Sequence, residues 1–396
     1  MTMLTQRQLF LNHVAQTSPA PMGLEIVRAE GIYLYDISGK SYMDMISGIA
    51  VSSVGHRHPH VLKAIHQQLD QYMHLMVYGE YVQSPQVKLA AKIASLLPGL
   101  DSVYFVNSGS EAVDGALKLA RRATGRKKIF SFKNSYHGSS TGALSLMSDP
   151  YFTDPFKPLL PEVYHLNNND WESLKLIDED TAGIFVEIIR GEVGAEVVDP
   201  VFLRAIRKRC NETGALFIAD EIQTGFGRTG SFFAFTPLSF VPDIIVLAKG
   251  MGGGMPIAAF VAAQSLMQTL THDPVLGHIT TFGGHPVCCA ASLATIEVIE
   301  ELNIEVRVPK LETIIRSRLK HPLIKSISGK GLLLALDLGD EITTQKVIAN
   351  CLNNGIITDW FLFAAHKLRL APPLTITEEE LNTACDKILI SLEQSN

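Results

Sequence analysis

Cysteine is scarce in this chain of 396 residues: Cys210, Cys288, Cys289, Cys351 and Cys385 are the only five, and none stands in a C-x-x-C spacing. That excludes a disulfide framework and a cysteine-based zinc site. A bond between the adjacent Cys288 and Cys289 would be strained, so all five read as small buried hydrophobes in a reducing compartment. Positive charge is short as well. Lys plus Arg number 34 against 40 Asp plus Glu, a formal net charge of −6, with no basic run of the kind that neutralises a phosphate backbone. Nucleic acid is excluded as the natural partner. Long apolar runs are missing too: the longest uncharged stretch, Gly250 to His272, is broken by Gly252, Gly253, Gly254 and Pro256 and carries Gln264, Gln268 and Thr271. It reads as buried loop and helix, with no membrane span. The N-terminal MTMLTQRQLFLNHVAQTSPAP lacks the apolar core of a signal peptide, which makes the cytoplasm the expected location. Fixed-period repeats and low-complexity tracts are absent, which excludes solenoids and tailed proteins.

What is present is a globular composition, 46% hydrophobic and 19% charged, with enough apolar material for a large core. Between Leu100 and Ala263 short β-branched runs alternate with helical stretches: Val103–Val106, Lys128–Phe132, Gly183–Ile189, Ala215–Ala219, Ile244–Ala248 and Ala258–Ala263. Continuous apolar runs separated by helices predict an α/β fold whose mostly parallel central sheet is covered by helices on both faces. The last hundred residues change to an α+β pattern: helices near Ala290–Glu301, Thr344–Asn353 and Glu378–Leu392, and a strand around Gly331–Asp337. Gly31–Asp36 and Ser41–Asp44 flank a Ser-Gly-Lys turn and read as a hairpin that joins this smaller unit. The expected organisation is therefore an N-terminal segment over 1–50, a large domain over 51–290 and a small domain over 291–396.

Ligands of parallel α/β sheets collect beyond the carboxyl ends of the strands, so the residues after each apolar run carry the information. After Val103–Val106 come Asn107-Ser108-Gly109-Ser110-Glu111 and a helix. Ser108 and Glu111 have capping-box spacing, and the N–H groups and hydroxyls there could cradle a phosphate or form only a well-capped turn. After Lys128–Phe132, Tyr136-His137-Gly138 offers an aromatic beside a glycine, suited to lying flat on a planar ring. Asp220 and Glu221 end a run that should be fully buried, where a carboxylate needs a cationic partner such as a pyridinium nitrogen. Lys249 stands between a hydrophobic strand and the glycine-rich Gly250–Pro256. Desolvation there would lower its pKa and make it a nucleophile able to form a Schiff base, although a single lysine at a sheet edge usually only snorkels. The four features together are the parts that hold pyridoxal phosphate. Gly225–Gly230 has the spacing of a dinucleotide fingerprint but no helix after it, which removes a Rossmann reading.

NSGSEAVDGALKLAR, FIADEIQTGFGRTG, LAKGMGGGMP, TTFGGHP and LRLAPPL, in this order and spacing, resemble the class III (acetylornithine/ornithine/4-aminobutyrate type) aminotransferases of fold type I over nearly the whole chain. VGHRHPHV matches a segment of that family too, so His56, His58 and His60 read as structural and not as metal ligands. The resemblance implies a pyridoxal 5'-phosphate enzyme with Lys249 as the Schiff-base lysine and proton carrier, and Asp220 on the pyridine nitrogen. Gln223 would face the phenolic oxygen, Tyr136 would stack on the ring, and His137 and Glu187 would stand beside the cofactor. Ser108, Gly109 and Ser110 would bind its phosphate. Thr281 would reach the phosphate of the neighbouring subunit, which makes a homodimer with active sites at the interface the expected assembly. Arg369 would clamp a substrate carboxylate, and Glu192 would gate that arginine.

The reaction so implied moves an amino group from an ω-amino donor such as acetylornithine, ornithine or 4-aminobutyrate to 2-oxoglutarate in a ping-pong scheme. The chain departs from the family at three places. Ser139 stands where an arginine follows His-Gly, Arg190 stands where a glutamine precedes Gly-Glu, and His285 replaces the asparagine of G-G-N-P. The Tyr-His-Gly-Ser pattern is closer to the amine:pyruvate branch. A glutamate-1-semialdehyde mutase or dialkylglycine decarboxylase type of reaction, or a non-catalytic cofactor-binding role, shares the core motifs.

Overall fold

The computed structural model describes residues 4–395. Three N-terminal strands, β1 (Ile26–Glu30), β2 (Tyr33–Asp36) and β3 (Ser41–Asp44), form an antiparallel meander. The β2–β3 hairpin is the one expected around Ser-Gly-Lys, where Asp36 accepts from the Ser38 and Lys40 amides at 2.9 and 3.0 Å. The chain then contributes β4 (Ser102–Val106), β5 (Lys128–Phe132), β6 (Val163–Leu166) and β7 (Thr181–Glu187) to a large sheet. A two-stranded ribbon of β8 (Ile189–Arg190) and β9 (Glu196–Val197) follows, before β10 (Leu216–Asp220), β11 (Ile244–Leu247) and β12 (Ala258–Ala262) complete the sheet. The sheet order is β4-β12-β11-β10-β7-β5-β6.

All of these strands run in one direction except β12, which is antiparallel to both neighbours. Only ten residues separate Leu247 from Ala258, too few for the crossover helix that a parallel return would need. The edge strand β6 carries no apolar run and escaped sequence reading. β7, β10, β11 and β12 are almost wholly buried, as their unbroken apolar sequences require.

The C-terminal part holds a second antiparallel sheet of β13 (Ser326–Lys330), β14 (Leu333–Asp337), β16 (Asp359–Phe361) and β17 (Ala364–Leu370), in the order β13-β14-β17-β16, while the short β15 (Ile356–Ile357) pairs in parallel with β3. The N-terminal meander and the C-terminal segment thus share a sheet. Position 290 falls inside one continuous helix, Pro286–Glu301. The final helix, Glu378–Glu393, opens with a reciprocal Thr377–Glu380 capping box.

After β3 the backbone makes a left-handed turn. Ser47, Gly48, Ile49 and Ala50 have φ of 50°, 59°, 65° and 61°, and the turn is closed by Ala50 N to Ile46 O and Val51 N to Ser47 O, both 2.8 Å. Ser47 is tied down on two sides: its N–H donates to Asp44 Oδ1 at 2.8 Å, and its hydroxyl donates to Ala371 O at 2.8 Å.

Candidate active site

The carboxyl ends of β4, β7, β10 and β11 open on a single cavity of about 420 Å³. From β4 it receives Ser108, Gly109 and Ser110. Ser108 caps the helix Gly109–Thr124, its hydroxyl accepting from Glu111 N at 3.3 Å. The reciprocal half of the expected capping box is displaced by one residue, since the Glu111 carboxylate accepts from Asn107 N at 2.6 Å and from Asn107 Nδ2 at 3.0 Å. The free N–H groups of the first helical turn, with the Ser110 hydroxyl, form an anion cradle. Gly138 is required there: its φ is 134°, and a Cβ would lie 2.1 Å from Ser110 Oγ.

Asp220 ends β10 with its side chain buried. One carboxylate oxygen takes His137 Nδ1 at 2.6 Å and the other accepts from Ile222 N at 3.0 Å. Burial works against a charged imidazole, yet the Asp220 contact overrides it and raises the His137 pKa. Glu187, at the end of β7, accepts from Gly191 N at 3.0 Å and Tyr136 N at 3.4 Å. Burial, with Asp220 nearby, pushes its carboxyl up to about 7. Gln223 lines the same wall, and its buried Nε2 lacks a hydrogen-bond partner, as does His137 Nε2.

Lys249 follows β11 at φ 49°, in the left-handed region that a non-glycine residue seldom occupies. Its ammonium lies deep in the protein, and desolvation lowers its pKa. Arg369, on β17, is 2% exposed and bonded bidentately to Glu192, with Nη1 to Oε1 at 3.0 Å and Nη2 to Oε2 at 2.8 Å. Burial raises a carboxyl pKa, but the arginine more than offsets this and leaves Glu192 below its ordinary value. Glu192 lines the cavity and Arg369 stands behind it.

Sequence reading missed Asp359. The β16–β17 register sets it directly opposite Arg369, with Oδ1 3.0 Å from the guanidinium Nε. Burial raises its carboxyl to about 6 in spite of that arginine. No sequence signal marks this pairing, because the hairpin that creates it turns through apolar Leu362 and Phe363. Arg190, which could have replaced the missing family arginine, is engaged elsewhere: Nη1 pairs with Glu196 at 2.5 Å and Nη2 donates to Lys133 O. Thr281 is outside the cavity of its own chain, exposed, with its hydroxyl 3.3 Å from Tyr78 OH. His56 and His60 pair separately with Asp44 at 2.8 Å and Glu297 at 2.7 Å.

These donors suit pyridoxal phosphate. A buried carboxylate–imidazole pair can face a ring nitrogen, the unpartnered Gln223 amide can reach a ring substituent, a helix N-terminus can take the phosphate, and a desolvated amine stands beside them. Comparison with known proteins agrees. The Aminotransferase class-III family model matches residues 14–392. Acetylornithine aminotransferase of Archaeoglobus fulgidus is 40% identical over 95% of this chain and 97% of its own, and that of Aquifex aeolicus is 37% identical over 92% and 96%. Among solved structures, an ornithine aminotransferase from Toxoplasma gondii superposes with a TM-score of 0.90 at 30% identity, covering 98% of this chain and 93% of its own. An (S)-enantioselective omega-transaminase from Thermomicrobium roseum gives 0.90 at 26%, covering 98% and 97%. The chain belongs to the class III aminotransferases, fold type I enzymes whose cofactor is pyridoxal 5'-phosphate.

Proposed function

We propose that this enzyme transfers the amino group of a primary ω-amine donor to a 2-oxo acid in two half-reactions that share one site. The observation that carries this reading is the placement of Lys249, desolvated at the end of β11, in one cavity with the Asp220–His137 pair and the Glu192 that covers Arg369. Pyridoxal phosphate supplies, when bound, an aldehyde that captures the amine and a ring that withdraws electrons from the carbon losing its proton. Lys249 holds the cofactor through Nζ and, once released, takes and returns that proton. Asp220 keeps the ring nitrogen protonated, and His137 holds the aspartate in place from behind. Ser108, Gly109 and Ser110 bind the phosphate, Tyr136 covers the ring face, Gln223 donates to the phenolic oxygen, and Glu187 orients the Tyr136 and Gly191 amides. With Glu192 on Arg369 the site receives an amine; with Glu192 withdrawn, the freed fork takes the carboxylate of a 2-oxo acid. Residues 1–50 and the chain beyond the Pro286–Glu301 helix make up the small domain that carries Arg369.

The test is spectroscopic. Adding amines singly to the holoenzyme should bleach its visible cofactor band with at least one of them, and a 2-oxo acid should restore it. A band that no amine bleaches would sink the proposal.

The enzyme works as a homodimer in which Thr281 completes the partner's phosphate site. The exposed apolar side chains that flank that residue in the chain, Phe282, Ile279 and Leu276, support this. Coexpression of Lys249→Ala with Thr281→Ala chains should therefore regenerate one intact site per mixed dimer. Random pairing would give about a quarter of wild-type activity. Recovery no better than either parent homodimer would show that sites are not shared.

A further inference from the structure

Cationic side chains are scarce around the cavity. Lys249 is the only Lys or Arg among the residues that line it. Arg369, behind Glu192, already faces two carboxylates: Glu192 on the Nη edge and Asp359 on the Nε edge. Arg190 is held by Glu196 and the Lys133 carbonyl. Residues 250–306, which include Thr281, contain neither Lys nor Arg, and residues 64–87, which include Tyr78, contain none either. At the rim, Tyr136 OH meets Ser139 Oγ at 3.1 Å, and Val51, Ile189 and Met255 add apolar wall.

The charges count as follows. With Glu192 closed, the Arg369 cluster carries one positive and two negative groups, so a donor bringing its own carboxylate meets no free cation. When Glu192 withdraws, an entering carboxylate replaces it one for one while Asp359 stays. A second carboxylate on the same acceptor would then be left against hydroxyls and apolar side chains, which is costly in a desolvated site.

Resting on the transaminase reading above, we infer that the site is built for a single carboxylate at a time. The donor is a primary alkylamine or α,ω-diamine with no carboxylate at its far end, and the acceptor is a 2-oxo monocarboxylate of the pyruvate type. The reaction balances without an external oxidant. The donor carbon goes from amine to aldehyde as water supplies its oxygen, and the acceptor carbon goes from ketone to amine as water is released, two electrons passing from one to the other.

The experiment compares half-reactions of the holoenzyme. Butylamine and putrescine are set against 4-aminobutyrate and acetylornithine as donors, and pyruvate against 2-oxoglutarate as acceptor. The uncarboxylated donors and pyruvate should each lead by at least about tenfold in kcat/KM. Ser139→Arg, which places a guanidinium at the rim, should shift the 2-oxoglutarate to pyruvate ratio about tenfold towards the dicarboxylate. Parity or better for 4-aminobutyrate, acetylornithine or 2-oxoglutarate overturns the single-carboxylate inference and leaves the transaminase reading standing. No exchange with any amine overturns the transaminase reading itself, and this inference with it.

Discussion

Lys249→Ala is expected to give a folded protein that binds the cofactor without its lysine-linked visible band and exchanges amines at least about a thousandfold more slowly. The magnitude follows from what the side chain does at one atom. In the proposed mechanism Nζ both holds the cofactor and moves the proton, and among the residues lining the cavity no other amine can replace it. Removal of a desolvated ammonium relieves its burial cost, so thermal stability of the apo protein should not fall. Single-turnover absorbance with a donor in excess measures the rate, and a denaturation curve separates chemistry from folding. Wild-type turnover in the variant would remove Lys249 from the mechanism.

Asp220→Asn should act almost as strongly, lowering turnover by about a hundredfold or more with little change in the KM of the donor. Asparagine keeps the shape and can still accept from Ile222 N, but it cannot keep a ring nitrogen protonated or support a charged His137. The variant also carries a signature in stability. In the wild-type protein the folded-state pKa of His137 is raised, despite burial, through Asp220. Such a pair contributes stability that is fully present below the unfolded histidine pKa and is lost as pH rises through the raised folded value. Without the aspartate charge, burial and the Arg190 charge act against a charged imidazole with Glu187 left to favour it, and this part of the pH dependence should shrink. Melting temperature against pH, measured on both apo proteins, tests the point. A parallel pair of curves would mean that the imidazole takes its charge from something other than Asp220.

The residues most legible in the sequence are those at the ends of buried apolar runs. Asp220 and Lys249 each interrupt a strand that cannot tolerate charge without a reason, so the rule that ligands collect beyond strand ends located them directly. Ser108 was legible for a different reason, because helix capping depends on residues three apart. What remained hidden depended on register and on distant chain. Asp359 reaches Arg369 only through the β16–β17 pairing, and the fate of Arg190 depended on where Glu196 and the Lys133 carbonyl lie in space. The reversal of β12 was hidden in the same way, since an apolar run specifies a buried strand but not its direction. The turn at Ser47–Ala50 was invisible for the opposite reason: Ile49 and Ala50 have no local preference for positive φ, and tertiary contacts impose it.

That turn has a consequence for the order in which the enzyme is made. Three non-glycine residues held left-handed cost roughly 3–6 kcal/mol, more than the local hydrogen bonds of one turn return. The anchors that offset this cost include Ser47 Oγ to Ala371 O and Ala371 N to Met45 O, bonds to a residue more than three hundred positions later. A growing chain therefore cannot set residues 47–50 as they leave the ribosome. The wall of the cavity that carries Val51 can be anchored only after Ala371 has been synthesised, although its sequence is among the first to appear.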